Sequence, residues 1–182
     1  QKHRFPDPAA FVGDMAKQGI RLNLWENPYV SPEGKLYEKL FPLSGSHTVW
    51  LGLVPDYTMA AAQQILCEQH KEDHLSIGIS GYKIDEVDGY DRWLWPEHAT
   101  FPSGTPAESM RQAYGLLMQQ MLYKNLFHKN NTRTYSLVRS SNGAASAMPF
   151  VLYSDSYKHS EYITGISAAS LGGILWSPEV RQ

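Results

Sequence analysis

Hydrophobic and polar residues follow two different periods along the chain, one typical of amphipathic helices and one typical of strands. The helical period predicts helices over residues 8–18, 59–73, 107–127 and 160–170. Shorter apolar or alternating runs predict strands over residues 20–25, 77–85, 134–138, 149–153 and 173–176. After the first strand, Pro28, Pro32 and Gly34 predict a long loop that runs to about residue 57.

Strands and helices alternate in this prediction, which indicates βαβ units and a parallel sheet. No Gly-x-Gly-x-x-Gly motif stands between a strand and a helix, which disfavours a dinucleotide-binding sheet. A complete (β/α)8 barrel takes about 250 residues, more than the 182 residues of this chain. We therefore predict an α/β fold, a partial (β/α)8 TIM barrel with about five parallel strands and intervening helices. Neither end has the composition of a linker, so we expect a segment of a longer protein.

Composition and charge exclude several classes of function. Apolar residues make up 42% of the chain and charged residues 19%, which favours a soluble folded domain over a disordered one. The net charge is −2 without a basic run, so we expect no nucleic acid partner. We also expect no membrane partner, because no apolar stretch is long enough to span a bilayer. Cys67 stands alone, which excludes an internal disulfide and a zinc site built on cysteines.

Polar or charged residues follow the carboxyl end of every predicted strand. They are Glu26 and Asn27, Asp85 and Glu86, Arg139, Asp155, and Glu179. In parallel α/β folds the carboxyl ends of the strands meet at one mouth, where the chemistry takes place. We therefore expect these side chains to form one site.

Asp85 is the first candidate for a reacting group. The two-residue period of a strand puts Lys83 and Asp85 on one face, with Tyr82 and Ile84 on the other. A neighbouring cation favours the ionised form of a carboxyl group, and an ionised carboxylate can attack an electrophilic carbon. A structural ion pair is the alternative interpretation, and the pattern alone does not separate the two.

Asp155 is the second candidate, since it follows an apolar strand and is flanked by tyrosines. Apolar surroundings raise the pKa of a carboxyl group and make a general acid available near neutral pH. Alone, this residue is also well explained as the N-cap of the next helix. Two carboxylates at one mouth in different environments are, however, what glycosyl transfer requires.

Aromatic residues are abundant, at 12% of the chain. The tryptophans lie in or beside predicted loops, where flat rings can stack on sugar faces; they are Trp25, Trp50, Trp93, Trp95 and Trp176. For each of them, packing within the core or a loop is the alternative. His70 and His74 lie four positions apart on a predicted helix but lack a third metal ligand, so we expect a solvated helix end there.

Five stretches resemble motifs of one enzyme family. Residues 24–30 (Leu-Trp-Glu-Asn-Pro-Tyr-Val) are similar to its Leu-Trp-Ile-Asn-Pro-Tyr strand end, and residues 81–85 to its Gly-Phe-Lys-x-Asp segment. Residues 139–141 match its Arg-Ser-Gly, and residues 153–155 stand where it has small-Gly-Asp. Residues 175–179 fall where it often has Trp-Gly-x-Asp. The matches cover nearly the whole chain in the same order, so the chain resembles the catalytic barrel of glycoside hydrolase family 31.

This resemblance implies a retaining α-glycosidase with a carbohydrate substrate and no metal or organic cofactor. It implies that Asp85 is the nucleophile, that Asp155 is the acid/base, and that Arg139 contacts the substrate. The substrate-binding residues that we predict on this basis are Trp25, Glu26, Lys83, Asp88, Arg139, Trp176 and Glu179. It also implies that residues 1–182 are a fragment of a single (β/α)8-type catalytic domain.

Several positions depart from the family pattern. Glu26 replaces an apolar residue, residues 85–88 (Asp-Glu-Val-Asp) replace Asp-Phe-Gly-Glu, Ser154 replaces Gly, and Glu179 replaces Asp. The additional carboxylates change the acceptors offered to sugar hydroxyls, and they resemble the α-galactosidase or α-N-acetylgalactosaminidase branch more than the glucosidases. We therefore expect α-galactosides or related α-glycosides as substrates.

Two alternatives stay open. One is a non-catalytic carbohydrate-binding or structural fragment of a decayed barrel, and the other is a different α-galactosidase clan that also uses a Lys-x-Asp strand. Because the remaining barrel strands are absent from this chain, we expect the isolated fragment to lack activity and to bury its sheet edges by self-association. The rest of the parent enzyme is then its natural partner.

Overall fold

The computed structural model describes residues 3–88, 95–139, 142–155 and 158–175. The first helix, α1, spans Pro8–Lys17 and begins where the sequence predicts, because Asp7 caps it by accepting a hydrogen bond from the Ala10 N–H at 2.9 Å. Proline at the first helical position has no amide hydrogen to leave unpaired. Gly19, with a φ of 77°, then turns the chain toward the sheet.

The remaining elements follow in chain order. The strands are β1 (Asn23–Glu26), β2 (Ser44–Val49), β3 (Gly52–Pro55), β4 (Gly81–Ile84), β5 (Ser136–Val138) and β6 (Phe150–Leu152). The helices after α1 are α2 (Tyr37–Leu40), α3 (Ala60–Asp73), α4 (Ala107–Met121), which continues as π-helical turns over Leu122–His128, and α5 (His159–Leu171). The four helices that the periodicity predicts are all present.

The predicted loop over residues 28–57 is wrong in part, since it contains α2 and the antiparallel hairpin of β2 and β3. The pattern did not reveal the hairpin for two reasons. Strand β2 is mostly polar, and the tip is Trp50-Leu51 rather than the Asn-Gly or Asp-Gly that marks a two-residue hairpin turn.

Four strands form the main sheet, in the order β1-β4-β5-β6, and all of its pairs are parallel. The expected fifth strand near residues 173–176 is not found in the part that the structure describes, although the Leu175 carbonyl accepts the Leu152 N–H at 2.7 Å. The predicted strand over residues 77–85 begins only at Gly81, because Gly78 has a φ of 97° and breaks the extended backbone.

The two faces of this sheet have different surroundings. Tyr82 and Ile84 of β4 are fully buried and pack against the helical layer with residues such as Leu122 and Phe127. On the opposite face, Trp25 is 56% exposed and the Lys83 side chain is 38% exposed. The sheet therefore has an apolar outer face under the helices and a polar inner face, as one sector of a (β/α)8 barrel does. No helix among the described residues is long and apolar enough to cross a membrane.

Candidate active site

Three charged residues follow three neighbouring strands of the sheet at the same edge. Asp85 comes directly after β4, Arg139 directly after β5, and Asp155 three positions after β6. The structure brings their side chains into one cluster, as expected from the convergence of parallel strand ends.

Asp85 is held by four donors, two on each carboxylate oxygen. Oδ2 accepts the indole N–H of Trp25 at 2.8 Å and lies 3.4 Å from the Lys83 ammonium. Oδ1 accepts the Glu86 backbone N–H at 2.9 Å and an Arg139 N–H at 3.1 Å. The contact with Lys83 confirms that both side chains lie on one strand face. These bonds fix the carboxylate in position and leave it little rotational freedom.

The same contacts determine the ionisation of Asp85. Burial by itself raises the pKa of a carboxyl group, because it penalises the charged form. The hydrogen bonds from Trp25, the Glu86 backbone and Arg139, together with the charge of Lys83, outweigh burial and lower the pKa of Asp85 to about 2. Asp85 is therefore a carboxylate at any pH near neutrality.

Arg139 is the centre of the cluster, since its guanidinium contacts four carboxylates. Nη1 lies 3.1 Å from Asp85 Oδ1, 3.3 Å from Glu86 Oε1 and 3.6 Å from Asp155 Oδ2. Nε donates to Asp88 Oδ2 at 3.2 Å. Burial disfavours the charged guanidinium, but Asp88, Asp85 and Glu86 overcome this and raise its pKa above the ordinary value.

Asp155 reaches the same guanidinium nitrogen as Asp85. Because Nη1 lies 3.1 Å from Asp85 Oδ1 and 3.6 Å from Asp155 Oδ2, these two oxygens are at most 6.7 Å apart, the sum of the two distances. The backbone of Asp155 is in the left-handed region with a φ of 58°, which is uncommon for a residue with a side chain. Such conformations concentrate at functional sites.

Tyr153 contacts both β4 and the Lys83 ammonium. Its ring is buried, its hydroxyl donates to the Ile84 carbonyl at 3.3 Å, and the Lys83 ammonium lies 4.8 Å from the ring centroid. Burial and the nearby Asp85 charge raise its pKa, so the phenol stays protonated. Lys83 is thus shared between a cation–π contact and the Asp85 carboxylate.

Glu86 belongs to this site, as its place at a strand end predicts, although it is not among the substrate-binding residues that we predict from the family resemblance. Its backbone has a φ of 57°, its N–H serves Asp85, and its carbonyl accepts the Tyr29 hydroxyl at 2.5 Å. Burial raises the pKa of its carboxyl group, and Arg139 opposes this shift without cancelling it. Its place directly after Asp85 was the only signal in the sequence, because neither the left-handed backbone nor the contact with Arg139 can be read from periodicity.

The structure does not bring Glu26 to the site. Its carboxylate Oε2 lies 2.7 Å from Nε2 of His70 on α3, on the helix-covered face of the sheet. Its register partner in β4 is Ile84, which points to the same side, whereas Trp25 pairs with Lys83 on the inner face. His70 is only 3% exposed, so the expected solvated helix end is wrong there.

The remaining predicted residues divide into four groups. Trp25, Lys83 and Asp88 all contact the cluster, and Trp95 is buried in the core, as its packing alternative required. Trp50 lies at the hairpin tip and is 55% exposed. Trp93, Trp176 and Glu179 lie outside the described residues.

A partial parallel barrel with paired carboxylates at its mouth is the framework of many sugar-processing enzymes, and comparison with known proteins identifies the family. Residues 1–180 match the TIM-barrel domain of the glycosyl hydrolases family 31. The chain belongs to glycoside hydrolase family 31, which confirms the resemblance seen in the sequence and the predicted fold class.

Relatives and solved structures agree with this assignment. An alpha-xylosidase of Emericella nidulans is 24% identical over 196 residues, which cover 97% of this chain and 24% of that protein. The cycloalternan-degrading enzyme of Trueperella pyogenes in complex with isomaltose has a TM-score of 0.76 at 20% identity, over 94% of this chain and 27% of that one. A GH31 family sulfoquinovosidase from E. rectale has a TM-score of 0.69 at 17% identity, over 85% of this chain and 25% of that one. The chain thus spans about a quarter of the length of these proteins.

Proposed function

We propose that this chain carries the catalytic carboxylates of a retaining α-glycoside hydrolase. In the first step the Asp85 carboxylate attacks the anomeric carbon, while the bond from that carbon to the leaving oxygen breaks and Asp155 protonates that oxygen. In the second step Asp155 takes a proton from water, and the water oxygen displaces Asp85 from the anomeric carbon. The sugar leaves with its original anomeric configuration because the centre is inverted twice.

The observation that carries this proposal is the contact of both carboxylates with one nitrogen of Arg139. Retaining glycosidases place their two carboxyl groups about 5–5.5 Å apart, whereas inverting enzymes need roughly 6.5–9.5 Å to admit a water molecule. The limit of 6.7 Å between Asp85 Oδ1 and Asp155 Oδ2 is compatible with the first of these spacings.

The ionisation of Asp85 further supports its role as the nucleophile. A nucleophilic carboxylate has to be deprotonated before it attacks, and a pKa of about 2 meets this condition throughout the physiological range. The fixed donors around Asp85 also mean that no rearrangement is needed to orient it. Trp25, Lys83 and Arg139 line the inner face beside it and are the substrate-binding residues that we propose, with Asp88 holding Arg139 in place.

The direct test uses amide variants of the full-length protein. We expect Asp85→Asn and Asp155→Asn each to abolish hydrolysis of an aryl α-glycoside, whereas Asp14→Asn retains the wild-type rate. Asp14 is a matched control because it forms an exposed ion pair with Lys17 on α1, outside the site. Full activity in either site variant would refute the assignment. Proton NMR of the first product then reports its anomeric configuration, and an inverted product would refute the retaining mechanism.

For the sugar itself, we propose α-galactosides or related α-glycosides. The support is the replacement of the family's Asp-Phe-Gly-Glu by residues 85–88, which adds one carboxylate, that of Glu86, beside Arg139. The relatives named above carry other substrate names, so a panel of aryl α-glycosides with gluco, xylo, galacto and N-acetylgalactosamino groups is the deciding experiment. A clear preference for the gluco or xylo compound would contradict this specificity.

Charge gives one further expectation for this panel. Among the described residues of the site, four carboxylates (Asp85, Glu86, Asp88 and Asp155) surround two cations, Lys83 and Arg139. This excess of negative charge opposes an anionic sugar. We therefore expect an aryl sulfoquinovoside to be a poor substrate beside the neutral members of the panel.

A further inference from the structure

Tyr29 lies outside the cluster of charges, but its hydroxyl contacts the backbone of that cluster. Tyr29 belongs to the segment after β1, and its hydroxyl donates to the Glu86 carbonyl at 2.5 Å. Glu86 in turn lies 3.3 Å from Arg139 through its carboxylate and donates its N–H to Asp85 Oδ1 at 2.9 Å. One residue thus separates Tyr29 from the carboxylate that we propose as the nucleophile.

The backbone of Glu86 needs support from its surroundings. Its φ of 57° lies in the left-handed region, which is disfavoured for a residue with a side chain. Such a conformation persists only where the surrounding structure holds it. On the amino side the Asp85 N–H donates to the Glu26 carbonyl at 2.9 Å, and on the carboxyl side Val87 is buried in the core. The bond from Tyr29 holds the carbonyl of Glu86 itself.

Tyr29 is fixed by contacts of its own. Its ring lies parallel to the buried ring of Tyr114, with centroids 6.4 Å apart, and its N–H donates to Asn27 Oδ1 at 3.1 Å. The next residue, Val30, exchanges two backbone hydrogen bonds of 2.9 and 3.0 Å with Leu53 of β3. Burial is the main reason why the pKa of Tyr29 is raised, so the phenol stays protonated and can donate. The core therefore determines where this hydroxyl lies.

A hydroxyl that donates to a backbone carbonyl can have a purely structural role. The Tyr57 hydroxyl is an example, because it donates at 3.2 Å to the carbonyl of Pro28, a residue outside the charged cluster. Tyr29 differs in the residue that it holds, since the N–H of Glu86 is one of the donors that fix Asp85.

We propose that Tyr29 is a positioning residue for the nucleophile, which keeps Glu86 in its left-handed conformation so that the Glu86 N–H stays on Asp85 Oδ1. This inference rests on the proposed function and extends it to a residue that acts through another. Without the Tyr29 hydroxyl, Glu86 rotates toward the negative φ values that side chains prefer, and its N–H turns away from Asp85. The carboxylate then loses a donor and gains freedom to turn, so it is aligned for attack less often.

Tyr29→Phe in the full-length protein tests this role, because it removes only the hydroxyl and keeps the ring. A glycosyl fluoride is the suitable substrate, since fluoride leaves without being protonated and kcat/KM then reports the attack by Asp85 rather than the acid role of Asp155. We expect kcat/KM to fall roughly tenfold, and the inhibition constant of the free sugar to stay within about twofold of wild type. The acidic limb of kcat/KM should move to higher pH, because Asp85 loses a hydrogen bond that favours its charged form.

Tyr57→Phe is the matched control, because it removes another hydroxyl that donates to a backbone carbonyl. It should leave kcat/KM and the acidic limb unchanged, whatever it does to the melting temperature. An equal loss of kcat/KM in both variants would reduce Tyr29 to a packing role and overturn the proposal. A wild-type rate in Tyr29→Phe would overturn it too, as would a weaker affinity for the free sugar that accounts for the whole loss.

A crystal structure of the Tyr29→Phe variant tests the same proposal without turnover. We expect Glu86 to leave the left-handed region and its N–H to lose contact with Asp85 Oδ1, whereas an unchanged Glu86 backbone would contradict the proposal. If the wild-type protein does not hydrolyse the glycosyl fluoride, the proposed function itself fails. The crystal structure then still decides whether Tyr29 holds the Glu86 backbone.

Discussion

Arg139 determines how the candidate site is organised, because one guanidinium joins residues that follow three different strands. Its contacts with Asp85 and Asp155 bring together two carboxylates that would otherwise repel each other. A lysine offers a single flexible point charge, whereas the planar guanidinium donates from several fixed nitrogens. Arg139 thus positions the carboxylates and, together with Trp25, the Glu86 backbone and Lys83, lowers the pKa of Asp85.

The pH dependence of the reaction tests this second role. In the mechanism that we propose, Asp85 acts in its ionised form, so activity should be lost as the pH falls through its pKa, which lies near 2 in the wild-type protein. Arg139→Gln removes one of the contributions that lower this pKa, so the pKa rises and the loss of activity moves to higher pH. We expect the acidic limb of kcat/KM for a glycosyl fluoride to move upward by about one pH unit.

The control for this measurement is Arg4→Gln, which changes an exposed arginine near the amino end and should leave the acidic limb in place. Arg139→Gln could instead lower kcat/KM without moving the acidic limb of its pH profile. That result would mean that Arg139 contacts the substrate without setting the ionisation of Asp85.

Strand β1 shows how one element serves both faces of the sheet. Trp25 points to the inner face and bonds Asp85, and the next residue, Glu26, points outward to His70 of α3. The outward contact is buried, and Glu26 Oε1 has no hydrogen-bond partner in the part of the chain that the structure describes. We infer that Glu26 joins β1 to α3 and does not contact the sugar.

Removal of the Glu26 side chain separates these two roles. Glu26→Ala leaves His70 buried without its carboxylate partner, which costs about 1–3 kcal/mol of folding free energy. We expect a lower melting temperature and an unchanged KM for the aryl α-glycoside. Glu33→Ala, at an exposed position in the following loop, should change neither quantity. A higher KM with an unchanged melting temperature would restore the substrate contact that the sequence predicted.

The close contact between the hairpin and the segment after β1 gives a prediction about packing. Gly52→Ala places a methyl group 2.9 Å from the Tyr29 Cβ and 3.1 Å from the Val30 nitrogen, so the hairpin has to shift. We expect a loss of about 1–3 kcal/mol in stability, measured by thermal or urea unfolding. The same substitution at Gly143, where an added Cβ meets no atom within 4 Å, should be nearly neutral. Equal stability of both variants would show that the hairpin does not pack as described.

The molecule as a whole is one sector of a barrel. The main sheet has four parallel strands, and within the described residues no strand pairs with the outer edge of β1. Unpaired backbone groups at a strand edge are a template for association with another strand. The inner face of the sheet is also left open, as the exposure of Trp25 shows.

The 182-residue chain expressed alone should therefore self-associate. We expect sedimentation velocity to show a mean mass that rises with protein concentration, and we expect no hydrolysis of the aryl α-glycoside by the isolated chain. The control is a longer protein that carries this chain together with further barrel strands, since those strands would cover the edge. A monodisperse monomer of the isolated chain at every concentration would contradict this prediction.

Much of this protein followed from local patterns in its sequence. The helices over residues 8–17 and 60–73 were evident from their apolar period and from the stop at Gly19, and the Lys83–Asp85 pair from strand alternation. These features depend on neighbours in the chain, so their signals are local. The family motifs predicted the partial barrel for the same reason: they record residues at strand ends in their order.

Only the tertiary structure decided which of these residues meet. Glu26 lies at a strand end and was therefore expected beside Asp85, yet it pairs in register with Ile84 and its side chain turns to the helices. No local signal showed that it would contact His70. The convergence of Asp85, Glu86 and Asp155 on Arg139 joins residues up to 70 positions apart, and the left-handed backbone of Trp50 and Glu86 goes against the local preference of both residues. Such contacts and strains exist because the packing of the whole sheet imposes them, so they can be read only from the folded chain.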